Sequence, residues 1–137
     1  MTYRFLVIPP LIALLAACAG SPLRDDAPSV RERYFEVAGE PVNSFGYLGR
    51  LDGWRPLSKY ELVVWAGHDK VYLLTVAPTC FDLEIETHIA VTSRMGHRVT
   101  SGMDDVLAGR DRCRIREIRP VDYERLESED ESRRMVR

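Results

Sequence analysis

Long apolar runs, cysteines, histidines and an excess of either charge are all scarce in this 137-residue chain, and each scarcity removes a class of protein. No apolar stretch reaches the roughly 20 residues that a helix needs to cross a bilayer. Three cysteines are too few for a disulfide-dense mini-scaffold. Basic residues number 19 and acidic residues 21, so the net charge of −2 supplies no global field for nucleic acid or for anionic lipid. The three histidines, His68, His88 and His97, form no C-x-x-C or H-x-x-x-H pattern with their neighbours, so neither a metal centre nor a cofactor is expected. Gly46, Gly49 and Gly53 make neither G-x-G-x-x-G nor a P-loop, and there is no G-x-S-x-G elbow. What is present is 45% hydrophobic residues, enough for the core of one domain, with no internal repeat.

The N-terminus reads as an address. Met1 to Arg4 carries one positive charge, and Phe5 to Ala17 is apolar but too short to span a membrane. Pro9 and Pro10 would break a helix through it. Leu15-Ala16-Ala17-Cys18, followed by Ala19-Gly20-Ser21, resembles the lipobox of bacterial lipoproteins. The resemblance implies that residues 1–17 are a signal peptide cut before Cys18, whose thiol receives a diacylglyceryl group. Two or three acyl chains anchor stably where one is marginal. No aspartate follows Cys18, which by the sorting rule of enteric bacteria implies the outer membrane, facing the periplasm. Residues 18–30 then form a lipidated tether, residues 31–127 a single β-rich domain, and the highly charged residues 128–137 a disordered tail.

With Cys18 carrying lipid, Cys80 and Cys113 remain, and in an oxidising compartment their simplest state is one disulfide. A metal site completed by two distant histidines and a reactive thiol are the alternatives. Ser29-Val30-Arg31-Glu32 matches a capping box, so a short helix is expected there, with an extended Tyr34–Val37 as the competing reading. Pro41–Leu48 suits a strand with a bulge at Gly46, and Asp52-Gly53 a turn. Glu61–Ala66 and Val71–Val76 flank Gly67-His68-Asp69 and are apolar on both faces, which predicts a hairpin in the middle of a sheet. His88–Ser93 alternates, and Arg98–Thr100 reads as its short return after a turn at Met95-Gly96-His97. Asp104–Leu107 suits a brief strand. Arg112–Ile118 alternates most clearly, with Cys113 and Ile115 on one face and Arg112, Arg114 and Arg116 on the other, until a slip at Glu117-Ile118 predicts a bulge. Pro120–Leu126 reads as one or two helical turns. The fold class expected is α+β and β-rich: a small antiparallel sheet or partial barrel of five to six strands with one or two short helices.

Trp54, Leu62-Val63-Val64, Tyr72-Leu73-Leu74-Thr75-Val76, Cys80, Leu83, Ile89, Gly102, Asp104, Val106 and Cys113-Arg114-Ile115-Arg116-Glu117-Ile118 together resemble an uncharacterised family of small proteobacterial lipoproteins. The resemblance covers about residues 40–121. It implies no activity, no catalytic residue and no cofactor, and its two core cysteines match Cys80 and Cys113, which favours their disulfide.

Two constellations invite a functional reading. Arg112, Arg114 and Arg116, flanked by Arg110 and Arg119, would set a row of guanidinium groups about 7 Å apart, able to hold phosphate or carboxylate. The plainer reading is a solvated outer face balanced by Asp111, Glu117 and the acidic tail. Trp54, Tyr60, Trp65 and Tyr72 suggest an aromatic platform, or more plainly cross-strand core pairs. Asp104-Asp105 and Glu84/Glu86 form carboxylate pairs only in name, and Asp104 and Asp105 suit a turn. The function expected is that of a non-enzymatic envelope lipoprotein, joined to the membrane by lipid on Cys18 and binding an envelope protein or glycan rather than nucleic acid. An inhibitor or small-ligand module and a hydrolase with an unrecognised site are the alternatives.

Overall fold

The computed structural model describes residues 27–136; the expected signal peptide, Cys18 and the tether up to residue 26 lie outside the described residues. Helix α1 spans Val30–Glu36, because Ser29 and Glu32 close the capping box: Ser29 Oγ accepts from Glu32 N at 3.2 Å, and the Glu32 carboxylate accepts from Ser29 N at 2.6 Å. Arg31 then pins the helix to the sheet. Its guanidinium lies 4.6 Å over the Phe35 ring and forks onto Glu61 at 2.8 and 2.5 Å. That hydrogen-bonded guanidinium, helped by the Ser58 hydroxyl, holds the Glu61 carboxyl below the usual carboxylate range.

Eight strands follow: β1 Ser44–Gly46, β2 Gly53–Pro56, β3 Glu61–Gly67, β4 Lys70–Val76, β5 Ile89–Val91, β6 Arg98–Thr100, β7 Asp105–Ala108 and β8 Asp111–Val121. Helix α2, Tyr123–Met135, ends the described chain. Six strands form a nearly closed antiparallel sheet in the order β2-β3-β4-β8-β7-β5, and β1 pairs with β6 as a separate ribbon. The fold is therefore α+β and β-rich, as expected. The β3–β4 hairpin lies inside the sheet because both of its faces are apolar. Leu62, Val64, Leu74 and Val76 face a core shared with Phe45, Leu83, Val99, Cys113, Ile115 and Ile118. Val63, Val71 and Leu73 face the other way, against Tyr34, Val37 and Leu126 of the helical layer.

Strand β8 is long enough to serve two neighbours. Its first residues pair with β7 and its remainder with β4. The register shifts where Thr75 faces Glu117 and Val76 faces Ile115, so Arg116 is the extra residue of the expected bulge. The Cys80–Cys113 disulfide joins the turn after β4 to β8 across 33 positions of sequence, with the two Cα atoms 5.2 Å apart.

Three expectations change. Pro120 does not open a helix; it stays in β8 opposite Tyr72, and its carbonyl accepts from Gly39 N at 2.8 Å. The helix starts only after Asp122, whose side chain caps Arg125 N at 3.1 Å. Residues 128–135 are not a disordered tail but the continuation of α2. Arg125–Glu129 at 2.9 Å braces its surface, Leu126 is buried beneath it, and Arg33–Asp130 at 2.6 Å ties it to α1. Finally, β5 and β6 do not pair with each other: β5 takes β7 and β6 takes β1.

Closing a loop of this length in the unfolded chain is worth about 3–4 kcal/mol. The double variant C80A/C113A should therefore melt about 10–15 °C below the parent while keeping its far-ultraviolet spectrum. An unchanged melting temperature would show that the bridge constrains nothing.

Candidate functional site

The arginine row lies on the outer face, but two of its members are tied to an acid at the surface of the core. Arg112 Nη2 and Arg114 Nε both reach the Asp105 carboxylate, at 3.1 and 2.7 Å. Arg114 Nη1 also donates to the carbonyls of Gly102 and Met103, at 2.8 and 3.0 Å. Arg116 is exposed where the register shifts and meets no carboxylate at ion-pair distance among the described residues. Arg119 pairs with Glu117 at 2.6 Å. The β8 arginines thus do not present a row of free forks; two of the three candidates close over one buried acid.

That acid belongs to a feature the sequence reading placed in a turn. Asp104 is 0% exposed and Asp105 3%. Asp104 Oδ1 accepts from Thr92 Oγ1 and from Arg94 N, both at 3.0 Å, and Oδ2 accepts from Thr100 N at 2.8 Å. The Asp104 carbonyl accepts from Ile115 N of β8 at 3.1 Å. Thr92 Oγ1 in turn accepts from Asp105 N at 2.8 Å. One carboxylate therefore joins the segment after β5, the end of β6 and the approach to β7. A pair of acids directly before the apolar Val106–Ala108 was the only sequence sign of this, and acids in that place ordinarily mark a turn.

The disulfide settles the state of the two core cysteines. Asp111 lies with them, their ligand atoms within 4.8 Å of one another, but the sulfurs are bonded together and the carboxylate accepts from Phe81 N at 2.5 Å and Asp82 N at 2.9 Å. This is a loop anchor, and neither sulfur is free to bind a metal as thiolate. The aromatic candidates also separate. Tyr72 stacks on Phe45 with ring centroids 4.6 Å apart, whereas Trp65 meets Tyr123 edge-on at 5.6 Å on the opposite face of the sheet. Thr87 Oγ1 lies 2.9 Å from His88 Nδ1, a hydroxyl–imidazole contact between exposed sequence neighbours.

The seam of the sheet carries a concave surface. Strands β2 and β5 are the two outer strands, and the 47–52 loop lies beside them. Together they enclose a groove of about 440 Å³. Tyr47, Leu51 and Trp54 line one side of it and His88, Ile89 and Val91 the other, with Arg50 and Asp52 at its rim 3.9 Å apart. Leu48, between two of the lining residues, is 90% exposed. Sequence reading named Trp54 as part of a platform but missed the groove, because strands far apart in the chain build its two walls.

Replacing Asp104 by Asn keeps its shape but puts an amide N–H where one carboxylate oxygen accepts a backbone N–H. D104N should lose about 2–3 kcal/mol of stability by urea unfolding. A loss below about 0.5 kcal/mol would show that the buried carboxylate is not a structural tie.

No curated protein and no solved structure matches this chain. A family without assigned activity does match, over residues 1–137, and the chain accordingly belongs to the family of unknown function DUF6491.

Proposed function

We propose that this chain is a non-enzymatic lipoprotein of the cell envelope. Lipid on Cys18 anchors it at the outer membrane facing the periplasm, and it binds another envelope component along the seam between β2 and β5. The observation that carries the binding reading is the groove itself. It is apolar, has aromatic side chains in one wall, is flanked by the exposed Leu48, and runs between two strands with unpaired outer edges. Its Tyr47 and Trp54 also favour a glycan as the component bound. The absence of catalysis is supported by the use of the buried acids: the Asp104 carboxylate is engaged by three hydrogen-bond donors and the Asp105 carboxylate by two guanidinium groups. The N-terminal reading is supported by the order of charged segment, apolar run and Leu15–Cys18 motif.

The test is photo-crosslinking in cells, with the reactive side chain placed at Leu48 in one strain and at exposed Lys59 in another. A discrete adduct from position 48, absent from position 59 and lost in I89D, is the expected result. Adducts of equal intensity from both positions, or persistence in I89D, would rule out the seam as the binding face. Intact mass of the same protein should show Cys18 acylated, and C18S should appear in the soluble fraction; an unmodified Cys18 would end the anchor reading.

A further inference from the structure

We propose that the corner between α1 and the last turns of α2 docks on the phosphate headgroups of the membrane that holds the lipid anchor, an inference that rests on the Cys18 reading above. A hollow of about 230 Å³ at this corner is lined by Ala27, Pro28, Arg33, Asp130, Arg133 and Arg134. Three guanidinium groups and one carboxylate thus share its wall. The carboxylate is already engaged by Arg33 Nη2 at 2.6 Å, while Arg33 Nε is buried with no acceptor among the described residues. Arg133 and Arg134 are exposed and meet no carboxylate at ion-pair distance among the described residues. An anion with several acceptor oxygens would satisfy the orphan donor and the two free forks together.

Two further observations choose a membrane surface as the source of that anion. Met135 and Val136 are 76% and 88% exposed immediately beyond the arginines, and Val136 lines an adjoining hollow with Ala27 and Arg133. Apolar tips beside guanidinium groups match a bilayer interface, where the tips enter the acyl boundary and the charges stay at phosphate level. The path of the chain agrees. Ala27 forms part of the wall, and the nine residues from Cys18 to Ala27 reach at most about 30 Å, so the corner stays near the leaflet. The patch is local: Arg134 also borders Glu127, Asp130 and Glu131, and the whole chain is net negative. Attraction to an anionic surface is therefore confined to the unpaired Arg133 and Arg134 forks, and their contact with phosphate would set the orientation of the domain on the leaflet.

The test uses a chain starting at Ser21, which keeps every described element and lacks both the apolar run and Cys18. It is mixed with vesicles of phosphatidylglycerol and phosphatidylcholine in equal parts, or of phosphatidylcholine alone, and bound protein is measured by flotation. Salt-sensitive binding to the anionic vesicles only, weakened about tenfold or more in R133Q/R134Q, is expected. Because both arginines are exposed, that variant should melt with the parent, and R33Q should weaken binding as well. Equal binding to both vesicle types, or full binding by the melt-matched double variant, overturns the proposal. Titration with inorganic phosphate distinguishes the source: phosphate binding without vesicle binding overturns the headgroup assignment, as does binding of neither. Since this chain has no Cys18, a negative result counts against the corner alone, and the mass of Cys18 judges the anchor separately.

Discussion

The Asp104 carboxylate is the interaction on which the placement of β5, β6 and β7 depends. Strands β5, β6 and β7 are three, three and four residues long, too short to hold their positions by ladder hydrogen bonds alone. Asp104 sits among them without solvent contact and accepts from Thr92, Arg94 and Thr100, while its backbone carbonyl joins β8 through Ile115. Charge-assisted hydrogen bonds in such a place are strong because no water competes for them, and for the same reason the site tolerates no unsatisfied partner. Asp105 extends the tie outward: its carboxylate draws in Arg112 and Arg114, and its N–H is held by Thr92. The most conspicuous charges of β8 are thereby committed to architecture.

Around that tie, the sheet is organised by the two-faced β3–β4 hairpin. One face closes the barrel core and the other seats α1 and α2, so the helices can only lie on one side. The disulfide holds the long connection between β4 and β5 against β8, and Leu83 and the Asp111 hydrogen bonds hold the rest of that loop. What remains uncovered is the seam. Sheet closure would need β2 to pair with β5, and the 47–52 loop lies beside that gap instead. The proposed binding reading rests on this open seam, whose walls are mainly apolar.

How much of this could be read from the sequence varied with the range of the interaction. The capping box at Ser29–Glu32, the hairpin around His68 and Asp69 and the β8 alternation, with a slip expected at Glu117-Ile118 and found one residue earlier at Arg116, are local patterns that became the elements they imply. The Cys80–Cys113 pair was legible from the cysteine count together with the expected oxidising compartment. Patterns failed where distant contacts decide. Residues 128–135 have the composition of a solvated tail, yet Leu126 and the Arg33–Asp130 bridge make them helical. Pro120 has the preference of a helix start, but Tyr72 and Gly39 retain it in a strand. The groove and the burial of Asp104 were invisible, since each needs segments far apart in sequence to meet.

The central claim, that one buried carboxylate locks the short strands together, is tested most directly by native-state amide hydrogen exchange on the unaltered protein. The N–H groups of Arg94 and Thr100, which bond to Asp104 at the margins of short strands, should exchange as slowly as Leu73 and Leu74 in the middle of β4, through global unfolding. Exchange of Arg94 and Thr100 at the rates of exposed loops, with β4 protected, would contradict the claim and show that the β5–β7 region opens independently of the rest.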